Sequence, residues 1–145
     1  LWGTPGAVTS GDVVPLGKAR VARAGSDLTI VSWSRQMQAC EQAAEQLAAQ
    51  GVQAELIDLR TIWPWDKDAV LQSVAKTGRL LVVHEAIRVA GFGAEIAATV
   101  AEETGAKVAR LGAPRIPVGY APTLEAEARV SAAHISAAAQ KLVAP

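Results

Sequence analysis

Cysteine is almost absent from the 145 residues, since the only one is Cys40. A single cysteine excludes an internal disulfide and a cysteine-based zinc cluster. It is typical of a protein kept in a reducing compartment, so we predict a cytoplasmic location. In the sequence Cys40 lies close to Ala39, Ala43 and Ala44. This setting predicts a small buried apolar residue and not a nucleophile.

Histidine and net charge are also scarce. The two histidines lie far apart without clustered acids nearby, so we predict no metal site. The 14 basic residues equal the 14 acidic ones, which gives no electrostatic reason to expect nucleic acid or an anionic membrane as a partner. No apolar run approaches the ~20 residues of a membrane span, and no signal peptide is visible.

The sequence does contain an alternation of strand-like and helix-like segments. Residues 1–17 are rich in glycine, proline and small polar residues, which predicts a linker or the tail of a preceding domain. Residues 18–145 are predicted to form one domain. The chain begins at Leu1 and not at methionine, so we expect a fragment of a longer protein. Apolar runs predict strands at about 19–23, 28–33, 52–60, 79–85 and 107–113.

The connections between these segments predict the fold. Only residues 24–27 join the first two strands, and so short a connection predicts an antiparallel pair. The later connections are longer and contain the helices, which predicts parallel strands. The predicted fold is therefore a three-layer α/β/α sandwich around a mainly parallel sheet of about five strands, with one antiparallel edge strand.

Helical periodicity marks four helices. Gly51, Gly78 and Gly105 are predicted to end the first three, Asp66 is the expected N-cap of the second, and the last is expected at about 131–143. The apolar residues that share a helical face are Met37, Cys40, Ala44 and Leu47; Val70, Leu71 and Val74; Phe92, Ile96 and Val100; and Ile135, Ala138 and Leu142.

The stretch "HEAIRVAGFGAEI", residues 84–96, is the candidate site. A dinucleotide fingerprint would need a third glycine where Ile96 stands, and an acid at the end of the next strand. Neither is present. A phosphate-binding P-loop is also excluded, because Gly17 and Lys18 lack the upstream glycine and the following Ser or Thr. The G-x-S-x-G elbow of a serine hydrolase does not occur.

His84 and Glu85 stand at the carboxyl end of a predicted parallel strand, where α/β proteins place their sites. Adjacent strand residues point to opposite faces, so the two side chains are not expected to face one substrate unless the strand has ended. Catalysis, an interface or interdomain role, and structural packing all remain open for His84, and we favour the interface. His134, in the alanine-rich last helix, is predicted to be exposed and inert.

Trp63 and Trp65 bracket Pro64 at the exit of a predicted strand. Two tryptophans there more often cover a core edge or fill a subunit contact than stack on a ligand. Asp58 and Arg60 either form a local ion pair or reach across an interface, and we favour the local pair.

Four segments together resemble one known family. They are "PLGKARVARAGSDLTIVSW", "AELIDLRTIWPWD", "KTGRLLVVHEA" and "GFGAEIAATVAEE", in that order. They resemble the C-terminal domain of the beta subunit of thiamine-diphosphate-dependent 2-oxo acid dehydrogenases, in the transketolase superfamily. Pyruvate, branched-chain and acetoin enzymes share these motifs, and the branched-chain form is the most similar. Residues 1–17 would then end an interdomain linker that follows an N-terminal domain.

The resemblance implies an assembly role. In this family the alpha subunit binds the diphosphate and magnesium, and the N-terminal domain of the beta subunit binds the pyrimidine. We therefore expect no catalytic, cofactor-binding or metal-binding residue in this chain, and no activity from it alone. The implied partners are an alpha subunit and a second beta subunit in a heterotetramer, and the subunit-binding domain of the acyltransferase core.

The resemblance also makes residues 84–93 a contact loop with the two tryptophans nearby. Gly91 and Gly93 would allow close backbone approach or a positive φ, with Phe92 as an apolar anchor. Ala90 replaces the first of two paired glycines, which argues against a required positive φ there. The predicted interface residues are His84, Glu85, Arg88, Gly91, Phe92, Gly93, Trp63 and Trp65. The alternatives are a small-molecule or anion-binding module at the His84/Gly91 loop, and a stand-alone enzyme with His84 as base.

Overall fold

Five strands form one sheet in the computed structural model, which describes residue 11 and residues 13–144. Most of the predicted linker lies outside the described residues, so the proposed division at residue 17 stays a prediction. The strands are β1 (Arg20–Arg23), β2 (Leu28–Ser32), β3 (Ala54–Asp58), β4 (Arg79–Ile87) and β5 (Lys107–Ala113). The helices are α1 (Gln36–Ala48), α2 (Lys67–Thr77), α3 (Gly93–Thr104), α4 (Pro122–Glu127) and α5 (Ala132–Val143).

The predicted fold class is confirmed. The strand order is β1-β3-β2-β4-β5, with β2, β3, β4 and β5 parallel and β1 antiparallel at the edge. Helices α1 and α5 cover one face, and α2 and α3 cover the other. Because successive strand residues point to opposite faces, Ile30 packs under α1 and α5 while Val31 packs under α2 and α3. This covering of both faces explains why every residue of β2 is buried.

The predicted pairing of the first two strands is wrong. β1 pairs with β3, with Arg20 opposite Asp58, and β3 lies between β1 and β2. The connection 24–27 crosses the start of β3, where a Cβ on Gly25 would lie 2.2 Å from the carbonyl carbon of Ala54. Four extended residues span roughly 13 Å, which is enough to pass over one strand at ~5 Å per spacing. The short connection correctly predicts that β1 and β2 run in opposite directions, but the two strands are not neighbours in the sheet.

Most helix ends lie where the sequence predicts them. The Asp66 side chain caps α2 by accepting from the Ala69 N–H at 3.3 Å, and Gly78 ends α2 with φ +68°. Gly105 ends α3 in the same left-handed conformation. Helix α1 ends at Ala48, earlier than predicted, and Gly51 supplies the positive φ that turns the chain toward β3.

Three features of the second half differ from the prediction or refine it. Strand β4 continues to Ile87, past the predicted end at residue 85. The short helix α4 was not predicted, because the sequence analysis assigned no element between β5 and α5. Helix α5 is capped by Ser131, whose hydroxyl accepts from the His134 N–H while His134 Nδ1 accepts from the Ser131 N–H. The exposed position predicted for His134 is confirmed.

Cys40 is buried, as predicted. Burial raises the pKa of its thiol to about 12, with the nearby Glu41 charge acting in the same direction and a hydrogen bond with Ser32 acting against it. The thiolate, which is the nucleophilic form, is therefore not populated at neutral pH.

Asp66 connects α2 to the segment before β1, so its removal should cost more than a single cap. One carboxylate oxygen caps α2, and the other accepts from the Ala19 N–H at 3.0 Å. We expect Asp66→Ala to lower the free energy of unfolding by about 2 kcal/mol, measured by urea denaturation. The control is Asp68→Ala, an exposed acid in the same helical turn, which should cost less than about 1 kcal/mol. Equal losses in the two variants would contradict this role.

Candidate interface site at the carboxyl edge of the sheet

His84 is fully buried at the carboxyl end of β4, and three glycines surround its ring. A Cβ added to Gly91 or Gly93 would lie 2.6 Å from a ring atom, and one added to Gly112 would lie 2.7 Å from the ring. These distances are shorter than any van der Waals contact permits. The loop, the start of α3 and the end of β5 therefore reach the ring only because each has a glycine at the contact.

Aromatic side chains complete the surroundings of His84. The Trp33 ring stacks on the imidazole, with centroids 5.5 Å apart and planes 22° apart. Phe92 meets Trp33 edge-on at 6.1 Å, and Trp65 meets Phe92 edge-on at 6.5 Å. Offset and edge-on contacts of this kind add ~1 kcal/mol each beyond the area they bury. This series of ring contacts connects the loop before α3, through Phe92, to Trp65 in the segment that follows β3.

The hydrogen bonding of His84 defines its tautomer. Nδ1 lies 3.0 Å from the Ala86 carbonyl oxygen, which can only accept, so Nδ1 carries the proton. Nε2 is buried and has no hydrogen-bond partner among the described residues. Burial lowers the pKa of His84, the positive charge of Arg110 lowers it further, and the bond to Ala86 acts in the opposite direction. The imidazole is therefore held in its neutral form.

The structure places the predicted interface residues at different depths. Glu85 is exposed on the opposite face of the strand from His84, as alternation predicted, and its carboxylate lies 4.0 Å from the Arg35 guanidinium. Arg88 is exposed in the loop, where its N–H donates to the Ala113 carbonyl and its carbonyl accepts from Arg110 Nη1. The His84 side chain supports the loop from within. Their roles at an interface stay predictions.

The glycines of the loop were predicted to allow close approach or a positive φ, and the structure shows the first of these. Gly91 and Gly93 do permit close approach, but the group that approaches is the His84 ring of the same chain. The positive φ of the loop, +60°, belongs to Ala90, where the sequence argued against one. A non-glycine residue in this region costs roughly 1–2 kcal/mol, so the packing around His84 must hold the loop against that strain.

Trp63 and Trp65 have different environments. Trp65 is half-buried against Phe92 and the core beneath α2 and α3, whereas the side chain of Trp63 is 78% exposed. Asp58 lies 3.5 Å from Arg20, and Arg60 donates to the carbonyls of Lys18 and Ala19. Asp58 and Arg60 thus serve local contacts with the segment around β1. The favoured ion pair between Asp58 and Arg60 is not formed, because Asp58 pairs with Arg20. Arg60 contacts Asp58 only through its backbone N–H, which donates to Asp58 Oδ1.

Sequence reasoning missed an apolar surface beside the loop, which we call the carboxyl-edge surface. It carries large apolar side chains that are between 44% and 104% exposed: Ile87, Val89, Ile116, Val118, Tyr120 and Leu124. A groove of about 430 Å³ between Ile87 and Val118 is lined by Pro114 and Pro117. The run "RIPVGYAPTL" carried the signal, since its apolar residues are too frequent for a solvated loop.

The charged residues of this region pair with one another. A second groove of about 430 Å³ contains Arg35, Glu85, Glu125 and Arg129, and each acid is paired with an arginine. No group of three or more metal-ligating side chains occurs among the described residues. The donor set does not fit thiamine diphosphate with Mg²⁺. No helix in the described part of the chain is long and apolar enough to cross a membrane.

Comparison with known proteins identifies the class. Residues 17–135 match the family described as "Transketolase, C-terminal domain", so the chain belongs to that family. A solved structure titled as a split-gene transketolase, inactive beta4 tetramer, superposes with a TM-score of 0.87 at 25% identity. The superposition covers 97% of this chain and 47% of that one.

Among the curated relatives are beta subunits of 2-oxo acid dehydrogenases, which confirms the resemblance found in the sequence. The mitochondrial 2-oxoisovalerate dehydrogenase subunit beta 2 of Arabidopsis thaliana is 53% identical over 90 residues, covering 62% of this chain and 25% of that protein. The acetoin:2,6-dichlorophenolindophenol oxidoreductase subunit beta of Cupriavidus necator is 40% identical over 146 residues, covering 97% and 43%. The chain thus spans less than half the length of these relatives.

Packing against His84 should make Gly93 intolerant of alanine. Alanine is in general the better helix former, but the added Cβ would lie 2.6 Å from His84 Nε2 and 3.2 Å from Val82. We expect Gly93→Ala to lower the free energy of unfolding by about 2 kcal/mol. The loss should shrink in the double variant with His84→Ala, compared with His84→Ala alone, in a denaturation-based double-mutant cycle. Additive losses would show that the ring does not exclude the Cβ.

Strain at Ala90 predicts an unusual response to glycine. We expect Ala90→Gly to leave the free energy of unfolding unchanged or to raise it by up to about 1 kcal/mol, because glycine adopts φ +60° without strain. The control is Ala86→Gly in β4, which should lower it by about 0.5–1 kcal/mol. Thermal unfolding measures both. A loss at position 90 as large as that at position 86 would contradict the strain.

Proposed function

We propose that this chain is a non-catalytic assembly domain in the decarboxylating component of a 2-oxo acid dehydrogenase, most similar to the branched-chain type. The observation that carries the proposal is the carboxyl-edge surface, with six exposed large apolar side chains beside a loop fixed by His84. Several large apolar side chains exposed in one region, three of them around a common groove, are typical of a subunit contact. The whole enzyme would remove CO2 from the 2-oxo acid and transfer the acyl group to a lipoyl arm.

The expected partners are an alpha subunit and a second beta subunit, together with the subunit-binding domain of the acyltransferase core. The names of the relatives as beta subunits support the first two. The solved beta4 tetramer, a relative described as inactive, supports association between copies of such a chain. Docking of the acyltransferase core rests on the resemblance alone. Thiamine diphosphate and magnesium would be bound by parts of the enzyme outside these 145 residues.

The cellular compartment of the protein is also a proposal. The single buried cysteine led to the expectation of a cytoplasmic protein, whereas the Arabidopsis relative is named as mitochondrial. Cys40 does not distinguish these compartments.

The two alternatives for His84 are not favoured. Gly91, Gly93 and Gly112 lie against the ring, so the space beneath the loop is filled by the imidazole and has no room for a small molecule or an anion. A stand-alone enzyme with His84 as base would need access to Nε2, which is buried. Neither alternative uses the exposed apolar side chains.

Association through the carboxyl-edge surface should be sensitive to charge. We expect the chain to self-associate in sedimentation velocity, and Val118→Asp to raise the dissociation constant at least about tenfold, because a carboxylate would be desolvated in the contact. The matched control is Val21→Asp, an exposed valine on β1 at the opposite edge of the sheet, which should leave association unchanged. A chain that stays monomeric at high concentration, or equal effects of the two variants, would argue against this surface.

The expected lack of catalysis has a direct assay. Incubated with thiamine diphosphate, Mg²⁺, a branched-chain 2-oxo acid and an artificial electron acceptor, this chain should release no CO2 above the background without protein. Addition of an alpha subunit should not restore activity, since the pyrimidine-binding part would still be missing. Release of CO2 by the chain alone would refute the assembly role.

A further inference from the structure

The segment 85–92, which comprises the last residues of β4 and the loop that follows them, rests on His84 from within and presents apolar groups outward. On the inner side, the Ala86 carbonyl accepts from His84 Nδ1 and Gly91 lies against the ring. On the outer side, Ile87 and Val89 are exposed in the carboxyl-edge surface. The position of the exposed side chains therefore depends on the imidazole beneath them.

The site accepts one protonation state of the ring. In the neutral tautomer, the single N–H at Nδ1 is satisfied by Ala86, and Nε2 is a bare acceptor. Protonation would place a second N–H at Nε2, in a buried position without an acceptor among the described residues. A buried unpaired donor that also carries charge costs several kcal/mol, so the surrounding structure would open to hydrate it.

The charges around His84 offer no compensation. From β5, Arg110 acts on the ring with a charge of the same sign. In the loop, the other charged residue is Arg88, which is exposed. The neighbouring segments contact the ring through Trp33, Gly91 and Gly93, which carry no charge. Glu85 lies on the other face of β4, beside Arg35.

We propose that His84 is a positioning residue that holds the 85–92 segment only while its imidazole is neutral, so that acidification releases this segment and weakens assembly through the carboxyl-edge surface. The second half rests on the proposed function. The pKa of His84 is lowered from 6.5 in the folded loop, so the open state binds the proton more readily. The stabilisation is complete above about pH 6.5 and is lost as the pH falls toward the folded-state pKa.

The experiment follows the ring and the loop separately in the intact chain. NMR records the imidazole resonances of the only two histidines between pH 4 and 8, with His134→Gln assigning them. Hydrogen exchange, corrected for intrinsic rates, gives the protection of amides 86–92. The opening constant of the loop should rise by up to about tenfold per pH unit between about 6.5 and the His84 midpoint. Amides of β2 serve as the internal control and should not follow this titration.

His84→Phe tests causality, because phenylalanine keeps an aromatic ring beside Trp33 but cannot be protonated. We expect the pH dependence of loop protection to disappear in His84→Phe and to persist in His134→Gln. If His84→Phe does not fold, the test rests on the wild-type chain. There, the pH dependence of amide protection in 86–92 is compared with the titration of the His84 ring. Loop protection that stays constant while His84 titrates, or that keeps its pH dependence in His84→Phe, would overturn the proposal.

Sedimentation velocity at pH 7.5 and at the His84 midpoint separates this inference from the proposed function. Weaker association at the lower pH in the wild type, but not in His84→Phe, is the expected result. Association that is unchanged while the loop opens would overturn the link between His84 and assembly. A chain that does not associate at either pH would refute the proposed function, and the exchange data alone would then decide whether His84 controls the loop.

Discussion

The burial of one imidazole at the end of β4 is the constraint on which the carboxyl edge of this domain depends. His84 needs close contact with Gly91, Gly93 and Gly112, which come from a loop, the start of α3 and the end of β5. Because none of the three segments can carry a Cβ at its contact, the ring determines how they fit together. The stacked Trp33 extends the same constraint to β2. One side chain thus couples two parallel strands, a helix and the exposed loop between them.

The other buried polar side chains of the described part of the chain mostly contact one another. Apart from His84, a prominent polar group in the core is the hydroxyl cluster in which Thr29 lies 2.7 Å from Ser73 and 2.8 Å from Thr77. These hydroxyls satisfy one another and tie β2 to α2. Glu55 is buried but paired with Lys76. Six of the exposed large apolar residues lie in the carboxyl-edge surface.

Local patterns predicted most of the elements, apart from helix α4 and the exact ends of α1 and β4, and the larger errors arose where distant segments meet. Asp66 and Gly78 could be assigned because a cap and a C-terminal glycine act within one helical turn. The neighbour of β1 could not, because it depends on the backbone crossing that Gly25 permits over Ala54. The environment of His84 was equally hidden, since Gly112 is remote in sequence. The exposure of Val118 and Tyr120 required knowing that no other described segment covers them.

An ordered loop matters for assembly because association must offset the entropy of every side chain and backbone segment that it immobilises. Ile87 and Val89 are exposed, yet the backbone that carries them is already fixed by the Arg88 N–H bond to Ala113 and by the ring of His84. The strained φ of Ala90 shows that this packing is strong enough to hold an unfavourable conformation. The ordering cost is therefore met when the domain folds and not when it binds. Under the proposed assembly role, the domain would present a contact surface whose shape is set before it binds.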